Sequence, residues 1–176
     1  YNPNGKLIVA GTRKSHISVI DIANGSIKMV LKAKIEDLYM DSQHDYPGSQ
    51  SVSYSADGKY IIAGVSDYTS ILLDASTGKE IKKFKRKDSY CTSCLVEARI
   101  TPDNKYILSA GSDSVQMFDV ASGKLVKEYY GEGGDAESLT LSADGKLLAG
   151  MEYGTIYVWE RETGKDRKST RLNSSH

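Results

Sequence analysis

Cys91 and Cys94 are the first residues of this sequence whose type and spacing are suited to chemistry. Two cysteines separated by two residues occur as redox pairs and as one half of zinc sites. A zinc site normally needs two further ligands. The chain has no second pair of this kind, and His44 would join only if folding brought it close. We therefore interpret the pair as a loop dithiol, and we predict neither a metal site nor a cofactor.

The basic run KKFKRK, residues 82–87, is a second candidate for a functional site. Such runs occur in nucleic-acid-binding and targeting patches. The repeat described below places this run on an outer strand, where lysines commonly protect an exposed sheet edge. The chain has 23 basic and 23 acidic residues, a balance that does not indicate a polyanionic partner. We predict no binding to nucleic acid or membrane, and the absence of an apolar run of about 18 residues predicts no transmembrane helix.

Sequence motifs for catalysis are absent. Neither G-x-S-x-G nor the phosphate loop G-x-x-x-x-G-K-S/T occurs. The glycine-rich residues 131–135, GEGGD, precede an alternating strand rather than a helix, which favours a turn over a nucleotide-binding loop. The sequence therefore predicts a protein that is not an enzyme.

A sequence unit with two turns occurs four times along the chain. Its strands and turns must position the cysteine pair, the basic run and the glycine-rich segment. The distance from the first turn to the second is 20 residues from Gly5 to Gly25 and 19 from Gly145 to Gly164. Asn-Gly and Asp-Gly supply the positive φ that hairpin turns need, and Asn104 is the next best tolerated residue there. The first turns are Asn4-Gly5-Lys6, Asp57-Gly58-Lys59, Asp103-Asn104-Lys105 and Asp144-Gly145-Lys146, and the second turns are Asn24-Gly25, Thr77-Gly78-Lys79, Ser122-Gly123-Lys124 and Thr163-Gly164-Lys165.

Short strands surround these turns. Runs that alternate apolar and polar residues precede the first turn, at 51–54, 97–100 and 138–141. Apolar runs follow the first turn, at 6–10, 60–63, 106–110 and 147–149. Runs that end in an acid precede the second turn, at 17–21, 70–74, 115–119 and 155–160. About four strands in a period of about 40 to 45 residues are typical of a propeller blade. We predict buried side chains for Ile62, Ile71, Leu108, Met117, Leu148, Ile156 and Val158.

The fourth copy resembles the WD-repeat family of β-propellers. It reads Ser142-Ala143-Asp144-Gly145-Lys146, then residues 154–160, GTIYVWE, then Thr163-Gly164-Lys165. Trp159-Glu160 stands where the family has Trp-Asp, and Asp67 and Asp113 match an acid in the family's tight turn. The resemblance implies an all-β fold: an open arc of four-stranded antiparallel blades at about 1–32, 49–85, 95–130 and 136–165. Because propellers close with about four to eight blades, it also implies the remaining blades of a full-length chain as partners. YVTN-like and quinoprotein-like propellers have related blades.

Residues 166–176, DRKSTRLNSSH, resemble the translation of a sequencing-library adapter. We predict a domain over 1–165 followed by a disordered, non-native tail. Without Asp166, Arg167, Lys168 and Arg171, 20 basic and 22 acidic residues remain. We favour a cytoplasmic location and expect that any signal peptide would precede Tyr1.

The length differences between copies fall after the second turn, in residues 33–48 and 86–94. In the family that the chain resembles, this connection lies on the same face as the turn between the second and third strands. Tyrosine and arginine are enriched at protein interfaces, although charged loops are often merely solvated. We predict that this face binds other proteins or peptides, through Arg13, His16, Tyr39, His44, Tyr46, Tyr68, Arg86, Tyr90 and Tyr153.

The predicted function is thus a non-catalytic protein-interaction scaffold. Two alternatives stay open at this point. One is a fragment of a propeller enzyme of the lactonase or quinoprotein kind, and the other is an accessory propeller of a multidomain kinase or other signalling protein.

Overall fold

A computed structural model of the chain describes residues 1–11, 16–32, 49–65, 68–87, 96–111, 114–131, 136–152 and 155–171. Within these ranges, fifteen strands form four antiparallel sheets, which confirms the predicted all-β class. In chain order the strands are β1 (Leu7–Gly11), β2 (His16–Asp21), β3 (Ile27–Lys32), β4 (Ser49–Tyr54), β5 (Tyr60–Val65), β6 (Thr69–Asp74), β7 (Glu80–Lys85), β8 (Glu97–Ile100), β9 (Tyr106–Gly111), β10 (Ser114–Asp119), β11 (Leu125–Tyr129), β12 (Ala136–Leu141), β13 (Leu147–Glu152), β14 (Thr155–Glu160) and β15 (Asp166–Arg171).

Each sheet is a meander, because every strand pairs with the strand that follows it in the chain. Blade 1 contains β1 to β3, blade 2 contains β4 to β7, blade 3 contains β8 to β11 and blade 4 contains β12 to β15. The first strands of blades 2, 3 and 4 contact one another in turn. The blades therefore follow each other as an open arc with β4, β8 and β12 innermost.

The first turn of each unit fixes the hairpin between the two innermost strands. In blade 2, the Gly58 amide donates to the Ser55 carbonyl at 3.0 Å, and Gly58 has a φ of 73°. Blade 3 has Asn104 at the equivalent position, with a φ of 57°, as the sequence predicts. A Cβ on Gly58 would lie 3.1 Å from Cδ of Pro3, so the turn also packs against the turn of blade 1.

The second turn explains why the strand before it ends in an acid. The carboxylate of Asp74 accepts hydrogen bonds from the Thr77 amide at 2.7 Å and from the Ser76 hydroxyl at 2.7 Å. Asp119 accepts the equivalent bonds from Ser122 in blade 3. The acid thus caps amide groups that the turn would otherwise leave without a partner.

The hydrophobic core is divided into three seams, each between two successive blades. Ile17 and Val19 of blade 1 pack against Ile61 and Leu73 of blade 2 in the first seam. Ile62 and Leu72 of blade 2 pack against Ile107 and Phe118 of blade 3 in the second. Leu108 and Met117 of blade 3 pack against Leu148 and Trp159 of blade 4 in the third. Blades 2 and 3 are therefore covered on both faces, and β6 and β10 are buried along almost their whole length.

Five of the seven predicted core residues are buried: Ile62, Ile71, Leu108, Met117 and Leu148. The prediction was wrong for Ile156, which is 37% exposed, and Val158 is only half-buried. Both side chains alternate with Tyr157 and Trp159, which are buried in the third seam. Ile156 and Val158 therefore point to the opposite face of blade 4, against which no described blade packs.

The fourth blade ends later than predicted. Residues 166–171 form β15 and pair with β14, with Asp166 opposite Trp159 and Thr170 opposite Ile156. The prediction of a disordered tail is thus wrong for these residues, and residues 172–176 lie outside the described ranges. The second turn returns the chain along the free edge of β14, where the pairing uses backbone groups and depends little on residue type. At the other end of the arc, blade 1 has three strands.

Candidate protein-interaction face

The strand register places the connections between blades and the turns between the second and third strands on the same face of the arc, as predicted. Thr69 at the start of β6 lies opposite Lys85 at the end of β7, and Ser49 at the start of β4 lies opposite Val65 at the end of β5. The chain therefore enters and leaves each blade on the face that also carries the turn between the second and third strands. We call this surface the loop face; its described members are His16, Tyr68, Lys87 and Tyr130. The opposite surface, which carries both glycine turns of each unit, is the turn face.

His16 and Tyr68 lie on the loop face where the sequence predicts them. His16 begins β2, is half-buried and lies opposite Lys32. Tyr68 precedes β6, is half-buried and has a φ of 63°, a conformation that is uncommon for a residue other than glycine. Its carbonyl accepts a hydrogen bond from the Arg86 amide at 2.9 Å, so the backbone that carries the ring is tied to the end of β7.

Arg86 does not lie on the loop face, and its assignment to a partner-binding surface was wrong. The side chain is only 3% exposed. Its Nη2 donates to the Ser114 carbonyl at 3.0 Å and to the Ser114 hydroxyl at 3.2 Å, and Nη1 donates to the Ser109 carbonyl. A Cβ on Gly111 would lie 3.0 Å from Nε of Arg86, so blade 3 leaves room for the guanidinium there. Arg86 thus fastens blade 2 to blade 3.

Lys87 follows Arg86 and is exposed on the loop face. Its backbone amide donates to Oε1 of Gln116 at 3.2 Å, and Nε2 of Gln116 donates to Oε1 of Glu128 at 3.0 Å. Gln116 is fully buried, so this network continues the connection between blades 2 and 3 that Arg86 begins. The loop face is therefore held by buried polar contacts directly beneath its surface.

Tyr130 is a member of the loop face that sequence reasoning missed. It is 61% exposed and follows β11, whose last residue, Tyr129, is 2% exposed. The sequence contains a signal for it, since alternation along β11 makes one of two adjacent tyrosines face outward. The predicted partner residues lie in the long connections and in the turns before the third strand, and Tyr130 lies in neither.

Six of the predicted partner-binding residues lie outside the described ranges: Arg13, Tyr39, His44, Tyr46, Tyr90 and Tyr153. The same holds for Cys91 and Cys94 and for Asp67 and Asp113. Their roles stay predictions.

The basic run over residues 82–87 has mixed roles in the structure. Phe84 is buried in the second seam, and Nζ of Lys82 donates to the carbonyls of Val120 at 2.8 Å and Ala121 at 2.6 Å in blade 3. Lys85 is exposed on β7, the outermost strand of its blade. Part of the run therefore connects blades, and part forms a charged outer edge.

The described residues contain no group of three or more acidic, histidine or cysteine side chains arranged to hold a metal ion. They also contain no helix with the length and apolar character needed to cross a bilayer.

Four successive meander sheets, packed face to face with their first strands innermost, define an arc of a β-propeller. The family profile of the WD domain, G-beta repeat, matches residues 123–160, from the second turn of blade 3 to the end of β14. In this match and in its fold, the chain is similar to the WD-repeat family of β-propellers.

Three relatives are similar to this chain at 28 to 29% identity. The U3 small nucleolar RNA-associated protein 15 homolog of Xenopus laevis is 28% identical over 91% of this chain and 28% of its own length. The small ribosomal subunit protein RACK1y of Oryza sativa subsp. japonica is 29% identical over 90% of this chain and 45% of its own length. The WD repeat domain-containing protein 83 homolog of Dictyostelium discoideum is 29% identical over 64% of this chain and 34% of its own length. The chain thus spans less than half the length of these relatives.

Proposed function

We propose that this chain is part of a non-catalytic scaffold that binds other proteins or peptides through its loop face. The observation that carries the proposal is the anchoring of this face by Arg86 and Gln116. Buried hydrogen bonds from blade 2 to blade 3 hold the backbone that bears Lys87 and Tyr68. A face held in this way presents its side chains with little loss of conformational entropy on binding.

The connections on this face also differ in length between blades. On the turn face, by contrast, the spacing between the two turns of each unit is nearly constant. Connecting loops on a fixed scaffold commonly carry binding specificity. The names of two relatives, an RNA-associated protein and a small ribosomal subunit protein, denote components or associates of larger assemblies. These names denote no enzyme, and they favour a binding role over the lactonase or quinoprotein alternative.

The proposal is tested by substitution on the two faces of the full-length protein. We expect that Tyr68→Ala combined with Tyr130→Ala, and a second set of Tyr39→Ala, Tyr46→Ala and Tyr90→Ala, each reduce the recovery of co-purified partners at least about tenfold, as loss of a tyrosine hot spot would. The matched control is Tyr1→Ala, because Tyr1 is 78% exposed and precedes the first turn of blade 1. Quantitative mass spectrometry of the co-purified proteins gives the measurement. Equal recovery from all variants would contradict the assignment of binding to the loop face.

The prediction that no nucleic acid binds receives no support from the comparisons, because the name of one relative contains a small nucleolar RNA. It stays a prediction and is tested in the same experiment by ribonuclease treatment before recovery. Partners that persist after treatment fit direct protein binding, and partners that disappear would make the prediction wrong.

A further inference from the structure

The half of the second seam that lies nearer the loop face is polar and is filled by Arg86. The carbonyls of Ser109 and Ser114 and the Ser114 hydroxyl, all in blade 3, accept hydrogen bonds from its guanidinium. In the same half, the Ser70 hydroxyl of blade 2 donates to the Ser109 hydroxyl at 3.0 Å, and both side chains are fully buried. The second seam therefore contains a position that is shaped and hydrogen-bonded for a guanidinium.

The third seam has the same strand register without the arginine. In the pairing of the outermost strand with its neighbour, Tyr129 of blade 3 is the equivalent of Phe84 of blade 2. Gly131 follows Tyr129 by two residues, as Arg86 follows Phe84. The position that carries the guanidinium in the second seam thus carries no side chain in the third.

Blade 4 keeps the groups that would accept hydrogen bonds from a guanidinium. In the pairing of the second and third strands, Gly150 is the equivalent of Ser109, and Thr155 is the equivalent of Ser114. Both residues supply a backbone carbonyl, and Thr155 also keeps a hydroxyl. Val115 and Gly150 stand where the second seam has its two hydroxyls, so that side-chain hydrogen bond cannot form in the third seam.

A cleft lies between blades 3 and 4 at this place. Its lining includes Ser114 and Gly131 at the loop-face end of blade 3, and Gly150, Tyr157 and Trp159 of blade 4. The rings of Tyr157 and Trp159 are stacked, with their centroids 5.6 Å apart and their planes at 11°. The cleft has a volume of about 220 Å³ together with its open mouth, and its closed end has room for about one water molecule.

We infer that this cleft receives an arginine side chain of a protein or peptide bound to the loop face, at the position that Arg86 occupies in the second seam. A guanidinium is planar, carries five donors and stacks on aromatic rings, so it suits both the carbonyl acceptors and the stacked rings of Tyr157 and Trp159. Its entry requires the loop-face ends of blades 3 and 4 to separate slightly, and Gly131 has no side chain to hold them together as Arg86 holds blades 2 and 3. This inference rests on the proposed function of the loop face.

The first test adds a small guanidinium probe to the purified chain and follows the emission of Trp159, the only tryptophan. We expect N-acetyl-arginine amide to change this emission saturably, with a dissociation constant of about millimolar order, as so small a ligand allows. The neutral isostere N-acetyl-citrulline amide, and N-acetyl-lysine amide at equal ionic strength, should each bind at least about tenfold more weakly. The absence of a saturable response, or equal affinities for the three probes, would overturn the inference.

Two variants then locate the probe. Gly131→Arg supplies the guanidinium from within the chain, so it should raise the midpoint of thermal unfolding and abolish the response to the arginine probe. The matched control, Gly131→Ala, adds no donor and should keep the response. Tyr157→Leu removes one ring of the stack and should weaken binding of the probe at least about tenfold. An unchanged affinity in Tyr157→Leu, or in a Gly131→Arg chain that unfolds cooperatively, would show that the probe binds elsewhere and would overturn the inference.

Failure of this inference and failure of the proposed function give different results. Loss of co-purified partners in the Tyr68 and Tyr130 variant, without an arginine-specific response of Trp159, would support binding by the loop face and overturn only the arginine site. Saturable arginine binding in the cleft, with equal recovery of partners from all loop-face variants, would support the arginine site and contradict the proposed function.

Discussion

Arg86 places a guanidinium between blade 2 and blade 3, where the surrounding acceptors belong to the backbone and side chain of blade 3. Two carbonyls and one hydroxyl accept its hydrogen bonds, and Gly111 leaves the space that it occupies. Removal of the side chain would take away the hydrogen bonds that these buried oxygen atoms accept from the guanidinium, and hydrogen bonds to a charged group contribute more to stability than bonds between neutral groups.

We therefore expect Arg86→Ala to lower the free energy of unfolding by about 2 kcal/mol or more, since several buried bonds to a charged group are lost. Lys87→Ala, at the exposed neighbouring position, should change it by less than about 0.5 kcal/mol. Urea unfolding of both variants checks this prediction. Equal stability of the two variants would mean that Arg86 contributes nothing to the seam.

Sequence reasoning placed Arg86 on the surface because arginine in a variable connection is usually solvated or at an interface. Its burial depends on Gly111 and Ser114, which lie in another blade and 25 or more residues further along the chain. No local pattern in the sequence predicts a contact between residues that lie so far apart in the chain. The place of Tyr68 before β6 follows from the spacing of the turns alone, and its role in partner binding stays a prediction.

At the scale of the element, the second turn is held by the acid at the end of the preceding strand. Hydrogen bonds from the Ser76 hydroxyl, and then from Thr77, lower the pKa of Asp74 from 3.8 to about 2. The pKa of Asp119 is lowered first by the Ser122 hydroxyl, and that of Asp21 first by the Ala23 amide. The folded state therefore favours the ionised carboxylate at this position in several blades.

A lowered pKa in the folded state stabilises the protein above the pKa of the unfolded chain, and this stabilisation is lost as pH falls through the folded value. We expect the midpoint of urea unfolding to decrease between about pH 4 and pH 2. Asp74→Asn should make this decrease smaller, because the amide does not titrate in this range. Glu162→Gln, at an exposed position in the second turn of blade 4, is the control and should leave the pH profile unchanged. Identical profiles for all three proteins would contradict a role for the Asp74 carboxylate.

The strands and turns could be predicted because each of them depends on residues that are close together in the sequence. Glycine or asparagine at positive φ fixes each hairpin, and the alternation beside it fixes which side chains share a face. The alternation of side chains along a strand does not indicate whether another blade covers a given face of the sheet. The prediction for Ile156 failed for this reason: its equivalents Val115 and Ile17 are buried by a following blade, whereas Ile156 has none among the described residues.

For the whole molecule, the third seam depends on β14 more than on the strand outside it. Trp159 is buried and lies 6.1 Å, between ring centroids, from Tyr129 of blade 3. Tyr129 donates a hydrogen bond to the Arg161 carbonyl at 2.6 Å, and burial raises the pKa of its hydroxyl to about 12. These contacts use residues that precede position 166.

We therefore expect a chain ending at Lys165 to keep the third seam, although β14 then lacks its outer partner. Trp159 is the only tryptophan, so its fluorescence reports on this seam directly. Its emission should stay at the short wavelength of a buried indole in the shortened chain, and Tyr129→Ala should shift it to longer wavelength. A shift on shortening alone would show that β15 supports the seam. The resemblance of residues 166–176 to an adapter stays a prediction that sequencing of the source DNA decides.

The unequal covering of the blades also has a consequence for how the protein opens. Blades 2 and 3 have seams on both faces, whereas blades 1 and 4 have one seam each. In an array whose units contact only their neighbours, a unit with two seams opens by breaking two contacts. Among the described strands, β6 and β10 lie in the two blades that have a seam on each face, so their amides are the last to exchange their hydrogens with solvent.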